Sequence, residues 1–237
     1  MNVTDLMEKA KRSGAGSLNE YESKVVLKAF GVPVVKEFSA ADSAEAVKVA
    51  EEIGFPVVLK GMGSALSHKT EKGLVHLNLV DSEGIQNAVR SIQAGAGEDL
   101  EGFLIQPFVQ GRREFVAGLF RDDQFGPMVM FGVGGIFTEA IADITFRVAP
   151  LTESDAGEML DEIRSKALLG PFRGDPAVDR DGLIRTLTGL SEIAVAHPEI
   201  GEIDINPLLT TPTGSVQAVD ALVVVRKAGS GRQFPPA

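Results

Sequence analysis

Residues 202–225 constrain the fold more tightly than any other stretch of this chain. Two strand-like runs, 202–209 and 215–225, flank Pro212-Thr213-Gly214. A glycine able to take positive φ can close a three-residue hairpin loop there. Pairing Thr211 with Ser215 fixes the register of both runs, and Asn206 then stands opposite Asp220. Opposed side chains on one sheet face begin about 5 Å apart, so an amide oxygen and a carboxylate converge by local geometry. Glu202 and Asp204 share that face by alternation. Such hard oxygen donors suit Mg²⁺, which takes few protein ligands beside waters and phosphates; a merely hydrophilic sheet face is the competing reading.

Upstream, the pattern alternates between periods. A helix is expected over 3–12, broken by Ser13, Gly14, Gly16 and Ser17, and a second begins at Asn19, carries Tyr21, Val25, Val26 and Phe30, and stops at Gly31 and Pro33. A strand at 34–38, a helix at 42–53 and a strand at 56–60 make a β-α-β passage. It is followed by a strand at 74–80, a helix at 82–92, a small-residue loop at 94–98 and a strand at 103–108. Near residue 110 the alternation gives way to strands at 114–121, 127–131 and 144–149, then helices at 153–169 and 181–196. The expected class is α/β (α+β), with two lobes and a ligand cleft between them. The boundaries are an extension at 1–17, lobes at 18–110 and 111–226, and a Gly- and Pro-rich tail at 227–237.

Composition removes several chemistries. With no cysteine there is no disulfide, thiolate-bound zinc, iron–sulfur cluster or cysteine nucleophile. With 33 acidic against 23 basic side chains and no dense basic patch, the chain repels a phosphate backbone. No apolar run approaches the roughly 20 residues of a membrane span. The expectation is a soluble cytoplasmic protein whose partners are neither nucleic acid nor membrane.

Four further segments can carry chemistry. An apolar strand emits Lys60 followed by Gly61 and Gly63; the ammonium can hold a phosphate, or simply face solvent, and the spacing is not that of a P-loop. His68 lies in a polar loop with Lys69 and Lys72, as a proton carrier or nucleophile, or as an ordinary loop residue. The run Gln106-Pro107-Phe108-Val109, ahead of Glu114, can offer peptide groups to a planar base or be a buried strand. Gly132, Gly134 and Gly135, with Asp143 and Arg147 downstream, can present amides and a guanidinium to an oxyanion or form a turn.

Taken in order, Leu18-Asn19-Glu20-Tyr21-Glu22-Ser23-Lys24, Val58-Leu59-Lys60, His68-Lys69-Thr70, Phe125-Gly126-Pro127, Gly132-Val133-Gly134-Gly135 and Asp204-Ile205-Asn206-Pro207-Leu208 resemble the ATP-grasp β component of ADP-forming acyl-CoA synthetases, in the superfamily of succinyl-CoA synthetase. The resemblance implies an ATP-grasp fold and the reversible reaction acyl-CoA + ADP + phosphate ⇌ acid + CoA + ATP. It implies that Lys60 meets nucleotide phosphates; on grounds of charge, Gly61, Gly134 and Gly135 are expected to add amides there and Arg147 a cation. Gln106, Phe108 and Val109 would line the adenine side and Glu114 the ribose, while Asn206 and Asp220 would hold Mg²⁺. His68 would relay the phosphoryl group to a separate α subunit that binds CoA, in an α₂β₂ assembly acting on a small carboxylic acid. Two alternatives stand beside it: a stand-alone ligase forming acyl phosphate itself, and a nucleotide-binding regulatory subunit without turnover, suggested by the single Gly73 where the family has two glycines.

Overall fold

The computed structural model describes residues 2–63, 66, 72–135 and 142–226. The chain forms two compact units: one comprises Asn19–Tyr21 and Val35–Val109, the other Met1–Leu18, Glu22–Val34 and the chain from Gln110 onward. In chain order the first helices are α1 (Val3–Ser13) and α2 (Glu20–Ala29). Both belong to the core of the larger unit through Leu6, Met7, Ala10, Val26 and Leu27. Residues 3–13 are therefore no appendage, and most of α2, expected in the lobe at 18–110, belongs to the core of the larger unit.

The smaller unit holds β1 (Phe38–Ala40), α3 (Ser43–Ile53), β2 (Val57–Met62), β3 (Val75–Leu79), α4 (Ser82–Ala96) and β4 (Gly102–Pro107). The strand expected at 34–38 starts later, because Pro33 accepts a bond from the Ala218 amide and Val34 bridges to Ala218 within the other unit. Asp42 and Asp81 cap α3 and α4 by accepting from the Glu45 and Gly84 amides. Helix α4 runs past residue 92, since Ala96 continues the buried stripe of Ile85, Ala88, Val89 and Ile92. The sheet order is β1-β4-β2-β3, with β4 antiparallel to both β1 and β2. The β-α-β passage is thus split, its two strands running parallel without touching.

The larger unit holds β5 (Glu114–Asp122), β6 (Gly126–Val133), β7 (Ile144–Val148), α5 (Glu153–Glu162), α6 (Arg180–Ala196), β8 (Ile200–Thr210), β9 (Val216–Ala218) and β10 (Ala221–Val225). Its sheet runs β10-β8-β5-β6-β7, with β9 also paired to β8. Leu183, Leu187, Leu190 and Ile193 of α6 share one buried core with Phe115, Leu119, Phe131 and Ile203. The helix expected over 153–169 ends at Glu162. There the buried Asp143 carboxylate accepts from the Arg164 and Ser165 amides at 2.8 and 2.7 Å, drawing the chain into an extended Ile163. Helix α6 is capped by Asp179, which accepts from the Gly182 amide, so Asp181 lies inside the first turn instead of starting it. No described helix is long and apolar enough to cross a membrane.

Candidate functional site

The hairpin builds as its residues dictate. Gly214 sits at φ +89°, the Thr211 amide donates to Ser215 O at 2.8 Å, and Leu208 pairs with Ala218. Beyond the break between β9 and β10 the same register continues, with Ile205 opposite Ala221 and Asp204 opposite Leu222. Asn206 and Asp220 accordingly occupy facing positions. Ile203 and Ile205 are buried in the core, which leaves Glu202, Asp204 and Asn206 on the other face. Burial, with the Glu202 and Asp220 carboxylates beside it, raises the Asp204 carboxyl above its ordinary value. Crowded oxygens of this kind favour a cation. Among the described residues no group of three or more His, Cys, Asp or Glu can hold a metal alone. An ion here would need the Asn206 amide oxygen and non-protein oxygens as well, which fits the sparse protein coordination of Mg²⁺.

Reading the ladder across strands separates the two sheet faces. Asp204, Gly118, Met130 and Phe146 form one row, on the acidic face. Ile203, Leu119, Val129 and Arg147 form the next, on the core face. Arg147 is therefore placed away from Asn206 and Asp220, contrary to the role expected of it. Its guanidinium pairs with Glu162 and lies 3.8 Å from Glu158 of α5, and the bond to Glu162 raises its already high pKa. The residue ties β7 to α5.

Glu114 and the glycines meet at the start of β5. The Gly134 amide donates to Glu114 O at 2.7 Å, so that N–H is spent within the sheet and not offered to phosphate. A Cβ on Gly134 would lie 3.0 Å from the Glu114 carbonyl carbon, which explains the small residue by close strand approach. Gly135 has φ +91° and lies beside the exposed Glu114 carboxylate.

In the smaller unit, Lys60 and Gln106 share a face. Lys60 pairs with Leu104 and Gln106 with Val58, whereas Val57, Leu59, Phe103 and Ile105 fill the core on the opposite side. Gly61 alternates to that core side: its amide donates to Leu74 O at 2.9 Å and a Cβ would press on Ile92. It packs β2 on α4 and is not a phosphate donor beside Lys60. Lys60 Nζ lies 2.6 Å from Glu20 Oε1, with the two side chains 5% and 1% exposed. The Phe108 amide donates to Pro56 O at 3.0 Å, while Phe108 and Val109 are half-buried at the end of β4. His68 lies outside the described residues.

Glu20 carries no site role in the sequence pattern, whereas Asp204 is expected only as a neighbour of Asn206 and Asp220 on the oxygen-bearing face. The signal for Glu20 was the density of polar residues opening α2, where Asn19, Glu20, Glu22, Ser23 and Lys24 are all buried. Buried polar groups in such number need built partners.

Comparison with known proteins identifies the family. Residues 9–225 match the ATP-grasp domain family. The beta subunit of ADP-forming acetate–CoA ligase I from Pyrococcus furiosus is 40% identical over 226 residues, covering 93% of this chain and 97% of that one. An acetyl-coenzyme A synthetase 1 from Ca. Korarchaeum cryptofilum, solved with coenzyme A, Ca-AMPCP and HgCl⁺, superposes with a TM-score of 0.90 at 40% identity, covering 95% of this chain and all of that one. Another structure of that synthetase, with coenzyme A and Mg-AMPPCP, has its phosphohistidine segment pointing towards the nucleotide binding site, with a TM-score of 0.83, 40% identity and coverage of 95% and 100%. The chain belongs to the ATP-grasp family, among the beta subunits of ADP-forming acid–CoA ligases.

Proposed function

We propose that this chain binds ATP or ADP with Mg²⁺ and exchanges a phosphoryl group, through His68, with an α partner that binds CoA. The subunit naming of its relatives implies that partner, and the α₂β₂ stoichiometry follows the family resemblance. The observation that carries the reading is the hairpin register, which sets Asn206 against Asp220 on a face where Asp204 is already crowded by carboxylates. Asn206 and Asp220 would hold Mg²⁺, which would supply charge to offset the phosphate oxygens. Taken by itself, the smaller unit would offer the Lys60 ammonium to phosphate and Gln106, Phe108 and Val109 to the base; the larger unit, by itself, would offer the Glu114 carboxylate to ribose hydroxyls. Arg147, Gly61 and the Gly134 amide have structural duties and stand outside this set.

The chemistry falls to His68. An imidazole nitrogen attacks the γ-phosphorus, the N–P bond forms as the bridging P–O bond to ADP breaks, and ADP leaves with that oxygen. Transfer to the acid's carboxylate then gives an acyl phosphate, and CoA sulfur displaces phosphate from its carbonyl. The resemblance in sequence around His68 supports this step, and the Korarchaeum synthetase itself has a phosphohistidine segment pointing towards its nucleotide binding site.

The test is paired and uses the complex with its α partner. His68→Ala should keep nucleotide affinity within a few fold, while abolishing acid-labile, base-stable label from γ-labelled ATP and acid- and CoA-dependent ADP formation. Turnover above about a tenth of wild type would mean that phosphate bypasses His68.

A further inference from the structure

We propose that Glu20 is the positioning residue for the Lys60 ammonium, an inference resting on the reading that Lys60 contacts nucleotide phosphate. The backbone at Lys60 is held on both sides, by Leu104 on β4 and Val75 on β3. What the sheet leaves undetermined is the flexible four-carbon stem, since a lysine carries its charge as a mobile point. Glu20 removes that freedom. Its carboxylate takes one of the ammonium's three donors at 2.6 Å, and both side chains are shielded from water.

The carboxylate is itself anchored. Glu20 is the first residue of α2, and Asn19 before it donates to Glu101 Oε2 at 3.4 Å. Glu101 in turn gives its amide to Met62 O at the end of β2, at 2.7 Å. The opening of α2 is therefore tied to the same sheet that carries Lys60, closing a loop of contacts around the ion pair. Separating a buried pair leaves an uncompensated charge, so the ammonium stays aimed whether or not a phosphate is present. Glu20 thus presets the cation that a nucleoside di- or triphosphate meets, without touching nucleotide itself.

The experiment measures ATP and adenosine affinities by calorimetry on the full chain with its α partner, for wild type, Glu20→Gln, Glu20→Asp, Lys60→Met and the Glu20→Gln/Lys60→Met double variant. Glu20→Gln should weaken ATP by about tenfold and leave adenosine unchanged, and should add nothing in the Lys60→Met background. Glu20→Asp, which keeps the charge one methylene short, should recover part of the loss and carries the comparison if Glu20→Gln does not fold. Unchanged or tighter ATP binding in the Glu20 variants, while Lys60→Met weakens it, overturns the proposal alone. An equal loss for adenosine also overturns it, by making Glu20 merely structural. Unchanged ATP binding in Lys60→Met removes instead the reading on which the proposal rests.

Discussion

Asp204 shows how a single carboxylate reports on the whole site. Burial, Glu202 and Asp220 raise its folded-state pKa above the unfolded value of 3.8. The folded chain consequently binds more protons than the unfolded one between those two values, and stability falls as pH rises through that window. Asp204→Asn should flatten this descent and raise the melting temperature at pH 7 without Mg²⁺ by a few degrees, as thermal unfolding at pH 4 and pH 7 would measure. An unchanged pH dependence would mean that neither burial nor the neighbouring carboxylates raise the Asp204 carboxyl. At this scale the sequence was legible wherever geometry is local: the Gly214 conformation and the register from Thr211 to Asp220 follow from three loop residues. The Glu20–Lys60 contact was not, because the partners are 40 residues apart and no periodicity links them.

At the scale of elements, hydrophobic spacing located the helices and strands, while their ends answered to side chains from elsewhere. Asp143 terminates α5 from 21 residues away, a stop that no residue within the helix announces. Burial raises the Asp143 carboxyl, but hydrogen bonds from Ser165 and Arg164 outweigh it and hold the group below its ordinary value. Its contribution is therefore complete above the unfolded pKa and is lost as pH falls through the folded one. Asp143→Ala should cost about 2–4 kcal/mol by leaving two amides unpaired, read by denaturant unfolding at pH 7, with the difference from wild type shrinking in acid. A constant difference down to pH 2 would contradict the assignment. Arg147 teaches a similar lesson, since a glycine-rich run with a guanidinium downstream reads as an oxyanion site. The face on which a side chain lies depends on registers across four strands, and those place Arg147 with α5.

For the whole molecule, the change of pattern near residue 110 anticipated two units, but not that α1 and most of α2 complete the core of the larger one. That allocation needs knowledge of which apolar stripe meets which sheet, and amphipathic helices of similar length look alike in sequence. The insertion of β4 between β1 and β2 was hidden for the same reason, since alternation predicts strands without their order. What the larger unit assembles is an acidic sheet face bearing Asn206 and Asp220, and its role as the metal–nucleotide site is the central claim. The direct test is Mg²⁺-dependent ADP affinity of the complex with its α partner, for wild type, Asn206→Ala, Asp220→Ala and the helix-cap variant Asp179→Ala. Both hairpin variants should bind Mg-ADP at least about tenfold more weakly, with metal-free ADP affinity nearly unchanged, while Asp179→Ala lowers stability by about 1 kcal/mol and leaves affinity alone. Equal Mg-ADP affinity in wild type and both hairpin variants would contradict the account.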